Sequence, residues 1–436
     1  MSAQPLTETL AAAWEATAGS LPGADRPEVM ARRRAALDSF RSHGLPTQKL
    51  ETWKFTGLTA LERQQWVLPA NDGAADAQRL AAAALAGDAS YRLVFVNGRF
   101  DAAASRLQGL PDGVRLLPLS QAGGELAVTL ASAGDGRAAS LGELNAALAS
   151  DGLLLDVANG VVLEKPVEIV AFGAPALVNL RHAIRIGRGT RATIVESYRD
   201  GGTATAAGWT NVFSRIAVEE GAQLTHIRLQ DEAAGIYHAA LGQVTVAGDA
   251  RYAHVSIQAG GAVARHELQI DYTGRNAEVD VQGLVLARGT SHIDHTLQLH
   301  HAEPGCNSNQ LFKHVVDDRG HAVFQGGIRV APDAQKTDAR QLSRTLLLAD
   351  RAQIDTKPEL EILADDVKCS HGASIGDLDA QHLFYMGARG IGPDEARRLL
   401  LAGFAAEIVE AVPEGALRDH VEAFVTGWLA QTGGAA

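Results

Sequence analysis

Lys368-Cys369-Ser370-His371 sets a thiol and an imidazole two residues apart. On an extended strand, side chains at i and i+2 leave the same face, so sulfur and nitrogen come within reach of one ion. A thiolate with an imidazole suits zinc, iron or an iron–sulfur cluster. Two ligands complete neither a tetrahedral nor a cluster site. Cys306, the other cysteine, stands too far away in the chain's repeat to be counted in. Any metal at Cys369 and His371 therefore needs ligands from a second chain. The plain alternative is a buried cysteine acting as a small hydrophobe beside a surface histidine.

Two further patterns invite chemistry. His292, His295, His300, His301, His314 and His321 fall in one short stretch, with His292 and Asp294 on one strand face and His295 on the other. Neutral imidazoles at such density can bind metal, or a carbohydrate along a His-rich flank. The simpler expectation is polar stripes on an outer surface. Gly372-Ala373-Ser374-Ile375-Gly376 matches GxSxG, with Asp379 and His382 following in the order a hydrolase needs. That elbow requires a strand-to-helix turn within a βα alternation, and the sequence before it reads as strands only. No GxxxxGK[S/T] or strand-to-helix GxGxxG occurs, so no ATP, flavin or nicotinamide site is expected, and His266-Glu267 does not continue as HExxH.

The elements that would carry these residues change character along the chain. Residues 1–150 read as an N-terminal helical and mixed region. Leu10, Trp14 and Thr17 share a helical face, a second helix begins after Asp25 with Pro27 in its first turn, and an Ala-rich helix lies near 74–86. A strand-turn-strand spans Tyr91 to Phe100 through Asn97-Gly98, and another helix lies near 141–150. Residues 151–377 read as strand after strand. Turn residues fall at Gly274, Gly289, Gly305 and Gly320, and the better matches recur about every 30 residues, at Gly289, Gly320 and Asp350. Two strands per 30 residues describe a coil, stacked into two facing sheets. A sandwich of antiparallel hairpins also has short, evenly spaced strands, but its strands seldom resemble one another at a fixed offset. Residues 378–436 return to helices: 378–388, a start at Gly392-Pro393-Asp394-Glu395, and a last helix over about 415–430.

Composition narrows the classes. The 436 residues are 46% hydrophobic, so a large core can form. Lys plus Arg number 39 and Asp plus Glu 51, a net charge of −12, which argues against nucleic acid and against a polybasic membrane patch. No apolar run is long enough to span a membrane, the first 20 residues lack a signal-like basic start, and two cysteines preclude a disulfide framework. A cytoplasmic location is expected. The 45 glycines and 5% aromatics suit a long regular stack.

The run from Lys336 to Ile391, KTDARQLSRTLLLADRAQIDTKPELEILADDVKCSHGASIGDLDAQHLFYMGARGI, resembles the SufB/SufD family of the SUF iron–sulfur cluster assembly machinery. Cys306 to Val330 and the segment ETWKFTGL, Glu51 to Leu58, fit the same family. Within it the chain is closer to the SufD branch. It carries VKCSHGA where SufB-type sequences have a glutamate-containing segment, and it lacks their extra cysteines. The resemblance implies a right-handed parallel β-helix with helical regions at both ends, and a non-catalytic scaffold role in a complex with SufB and the SufC ATPase. A homodimer in isolation is possible. It also implies that Cys369 and His371 lie where two solenoids pair, holding iron or a nascent Fe–S cluster. The C-terminal region, with Arg389, Ile391, Leu399, Leu400, Phe404 and Ile408, would bind SufC.

Overall fold

The computed structural model describes residues 6–69, 77–134, 136–173, 175–199 and 207–432. It is mainly β. Each strand from Leu153 onward pairs in parallel with the strand two places along the chain, so successive strands alternate between a ten-stranded and a nine-stranded sheet. Asn307 pairs with Asp338 and Asp338 with Lys368, offsets of 31 and 30 residues. The chain is therefore a β-solenoid of two-stranded coils, with the period that the turn spacing predicts. Both sheets begin inside the first 150 residues. Tyr91–Val96 pairs in parallel with Val167–Phe172, and Val114–Pro118 pairs antiparallel with Leu153–Val157.

The corners explain the glycine count only in part. Gly289 takes φ 64°, but the neighbouring corner is turned by Asn276 at φ 58° rather than by Gly274. Gly274 serves close approach instead: a Cβ there would stand 2.2 Å from the Gly248 nitrogen of the coil below. Asp249 and Asp318 also adopt φ 56°, a conformation that Asn and Asp tolerate better than most residues. The glycine series therefore fades in sequence while the corner persists in space.

Alternation along each strand separates two faces. Inward residues such as Leu224, Tyr252, Val279 and Phe312 fill the space between the sheets. Outward Ile227, Leu229, Val255, Ile257, Leu284 and Leu286 lie on the first sheet's outer face. There the helices Pro393–Val409 and Ala416–Leu429 cover them through Leu401, Ala405, Ile408, Val421 and Trp428. The second sheet is covered near its beginning by the helices Leu6–Thr17, Pro27–His43 and Ser140–Leu148, which pack with Leu177 and Trp209. Buried Arg33 fastens this cap: its guanidinium donates to Ala146 O, Ala147 O and Ala149 O, carbonyls at the end of the last of these helices. Of the helix expected near 74–86, Ala77–Ala83 is formed and 74–76 lie outside the described residues.

The histidine cluster departs from expectation. His295, His301 and His314 are buried inside the solenoid, and His292, His300 and His321 are half-buried on its outer flank. The interior accepts imidazoles because coil stacking brings ring against ring. His226, His254, His266 and His295 follow one another at centroid distances of 4.7, 5.3 and 5.7 Å, and Ser256 Oγ lies 2.7 Å from His295 Nε2. The Leu153 N–H donates to His182 Nδ1, which leaves that ring's proton on Nε2, 3.2 Å from the Tyr198 hydroxyl. Half of the expected outer stripe, His295, His301 and His314, is thus part of an inner file.

Candidate functional site

Cys369 and His371 lie on Lys368–Gly376, the last strand of the first sheet. Among the described residues its only sheet neighbour is Asp338–Leu347, which leaves the opposite edge open; the last strand of the second sheet, Gln353–Ile362, is likewise an edge. Lys368 N–H donates to Thr337 O at 2.8 Å. By alternation, the backbone groups of Cys369, His371, Ala373 and Ile375 point away from the sheet and are unpaired in it.

Both candidate side chains face the space between the sheets. Cys369 is half-buried against Ile328, Val330, Ala334, Ala339 and Ala364. Burial pushes its thiol pKa up, with the Ala339 backbone opposing and the Asp338 carboxylate adding to the rise. The sulfur is therefore held as a thiol in this state and must lose a proton to bind metal. His371 faces the same way but is exposed, because no further coil covers it. Cys306 is buried two coils further in, where its thiol donates to Gly274 O at 3.4 Å, in a different apolar cluster from Cys369. Among the described residues no three His, Cys, Asp or Glu side chains gather as a metal site. The donor set on this strand is one soft sulfur and one imidazole nitrogen, ligands of the kind that hold iron or iron–sulfur clusters.

The same end of the molecule exposes apolar side chains: Ile362, Leu363 and, at 53% exposure, Ile375. Next to them the short helix Ala380–Gly387 buries no residue and presents Phe384 at 79% and Tyr385 at 57%. Arg389 lies 3.7 Å over the Tyr385 ring. Of the other residues singled out for a partner, Leu399 is exposed and Ile391 and Leu400 are half-buried. Phe404 packs over Lys313, and Ile408 is sealed against the first sheet. Ser374 of the GxSxG match sits within the extended edge strand, and Asp379 caps the next helix by accepting from Gln381 N–H at 2.7 Å.

Sequence reasoning missed how ETWKFTGL is used. The segment lies as a strap across four successive strands of the second sheet. Arg265 stacks 4.0 Å over Trp53, donates to Thr52 O, and is paired with Asp294 and Glu267. Thr56 donates to Asp294 and contacts His292 Nε2 at 2.9 Å, Gln325 donates to Thr52 O, and Lys357 on the edge strand pairs with Glu51. His292 in turn meets His321, which pairs with Asp355. This strap occupies the flank where a His-rich binding surface was the alternative.

The chain is thus a two-sheeted solenoid, helix-covered on both faces, whose last coil carries a thiol and an imidazole on an edge strand. Residues 170–404 match the SUF system FeS cluster assembly SufBD core domain, and residues 7–169 match the SufBD protein N-terminal region. The chain belongs to this SufBD family. It is 35% identical to the iron–sulfur cluster assembly protein SufD of Escherichia coli, over 88% of this chain and 89% of the relative. It is 31% identical to an iron–sulfur cluster assembly SufBD family protein of Synechocystis, over 93% and 92%, and 29% identical to a chloroplastic protein of Arabidopsis thaliana, over 98% and 91%.

Proposed function

We propose that this chain is a non-catalytic scaffold subunit of the SUF iron–sulfur cluster assembly complex, pairing with SufB through its open last coil. The observation that carries this reading is the coincidence of two unpaired strand edges, exposed Ile362, Leu363 and Ile375, and the Cys369–His371 pair at one end of the solenoid. A second solenoid seated there would cover the apolar groups, pair the edge and add the ligands that two side chains lack. Iron or a nascent cluster is the cargo of this shared site. In isolation the same edge would accept a second copy of this chain.

In this reading residues 1–150 brace the solenoid, 151–377 carry the coils, and 378–436 receive the SufC ATPase in the cytoplasm. Phe384, Tyr385, Arg389, Ile391 and Leu399 form the contact surface. Phe404 and Ile408 seat the following helix on the sheet, and Leu400 is half-buried. SufC dimerisation on ATP binding would move these helices on both solenoids and open the shared end. Deprotonation of Cys369 accompanies ligation, so loading weakens as pH falls.

The test is anaerobic purification of the complex co-expressed with its SufB- and SufC-type partners. Cys369→Ala is expected to lower bound iron and sulfide while leaving all three subunits associated. Unchanged iron and sulfide would remove the ligand role, and absence of any ternary complex would remove the scaffold role.

A further inference from the structure

The register of the last three coils of the first sheet aligns Gln310, Gln341 and His371 as direct neighbours. All three positions face between the sheets. Gln341 is buried, and its amide is locked: Nε2 donates to Gln310 Oε1 at 2.6 Å. Gly326, on the opposite sheet, makes the room for it, since a Cβ there would stand 2.2 Å from Gln341 Nε2. With its nitrogen bound backward along the ladder, the same amide has a carbonyl oxygen that is buried and without a hydrogen-bond partner. A buried acceptor left unpaired is costly, and the next position on the ladder is His371.

We infer that Gln341 is a positioning residue for His371: the imidazole, not bonded to it in this structure, turns so that Gln341 Oε1 accepts one N–H, which leaves the other ring nitrogen as a free lone pair toward the open end. This rests on the reading of His371 as a ligand and adds how the chain prepares it. A neutral imidazole in water exchanges between two tautomers, and only one of them offers a given nitrogen to a metal. A fixed acceptor behind the ring selects that tautomer and holds the ring plane, as partners behind metal-binding histidines do. Gln310 and Gly326 act one step further back, by orienting the Gln341 amide.

The inference is tested by two-bond nitrogen–proton NMR on the full chain, labelled in histidine nitrogen and held well above the usual histidine range. His371 is assigned by its loss in His371→Ala. Expected is one dominant neutral tautomer in the wild type, converting to a mixture in Gln341→Leu. Gly326→Ala, which displaces the Gln341 amide without altering it, is expected to do the same if Gln341→Leu folds poorly. A mixture already present in the wild type, or an unchanged tautomer in the folded variants, overturns the inference. A separate arm titrates Fe(II) alone into the purified complex, where both variants are expected to bind about 10–100-fold more weakly. If wild type and His371→Ala bind Fe(II) equally, the ligand reading fails. If the tautomer shifts but Fe(II) affinity in the variants does not, the positioning role fails for metal binding.

Discussion

Burial holds several imidazoles of this molecule neutral, and that condition makes it sensitive to mild acid. Burial pushes His182, His292, His301 and His314 down to about 4, from an ordinary value of 6.5. His254, His266 and His295 are lowered well below the ordinary value by the same cause. Above pH 6.5 both folded and unfolded forms are neutral and nothing is lost. As pH falls, the unfolded chain takes up protons that the folded chain refuses, costing about 1.4 kcal/mol per histidine per pH unit until the folded value is reached. With several such groups, urea denaturation between about pH 7 and pH 5 is expected to lose several kcal/mol, before the carboxylates begin to titrate. Stability that stays flat across that interval would mean that the inner file is protonated or hydrated when folded. The pairing of Cys369 with His371 on one face is legible from two-residue spacing alone. The side taken by His295 or His314 is not, because polarity predicts exposure while coil stacking supplies the ring and hydroxyl partners that make burial tolerable. Gln310, Gln341 and His371 recur at offsets of 31 and 30, so that ladder was open to a reader who followed the repeat through polar residues.

Among the elements, the C-terminal helices divide into those that seat and those that project. Apolar spacing identifies the helix Pro393–Val409 and its stripe, but a stripe does not say what it covers. The first sheet offers an outer face of Ile227, Leu229, Val255 and Ile257, and that face takes Leu401, Ala405 and Ile408. The exposed rings proposed for a partner are on the preceding helix, too short for periodicity to single out. Phe384 and, beneath Arg389, Tyr385 expose large rings, the composition of an interface anchor. Phe384→Ala with Tyr385→Ala is therefore expected to leave thermal stability within about 0.5 kcal/mol per site. Capture of the SufC-type ATPase should weaken by on the order of 2 kcal/mol or more, roughly 30-fold, as for aromatic anchors elsewhere. Ile408→Ala is the contrast, expected to cost about 2–5 kcal/mol of folding stability by opening a cavity against the sheet. Full ATPase capture by the double variant would move the contact away from this helix. These point changes are cleaner than removing the helices, which would strip the apolar sheet face beneath them.

At the scale of the whole molecule, the two ends of the solenoid are treated differently. The first end is turned off by antiparallel strands: Arg99–Phe100 closes one sheet and Val114–Pro118 the other. Among the described residues the last end has no such closure. Its second-sheet edge carries Lys357 and Pro358, the kind of residues that discourage further pairing, whereas Lys368–Gly376 contains no proline. The strand with the candidate ligands is thus also the one free to add a neighbour. Its outward backbone groups belong to the odd-numbered residues, since Lys368 N–H is spent on Thr337 O. Ala373→Pro removes one outward N–H and no bond of the existing ladder, and proline is tolerated on an edge whose N–H faces solvent. The variant chain is expected to fold as a monomer with near-unchanged thermal stability, yet to lose its pairing with a second solenoid in size-exclusion and co-purification. Ser370→Pro is the control, because its N–H points into the sheet and its loss should destabilise the fold itself. If Ala373→Pro pairs as well as the wild type, the edge of this strand is not the seam, and the shared site at Cys369 and His371 loses its architectural basis.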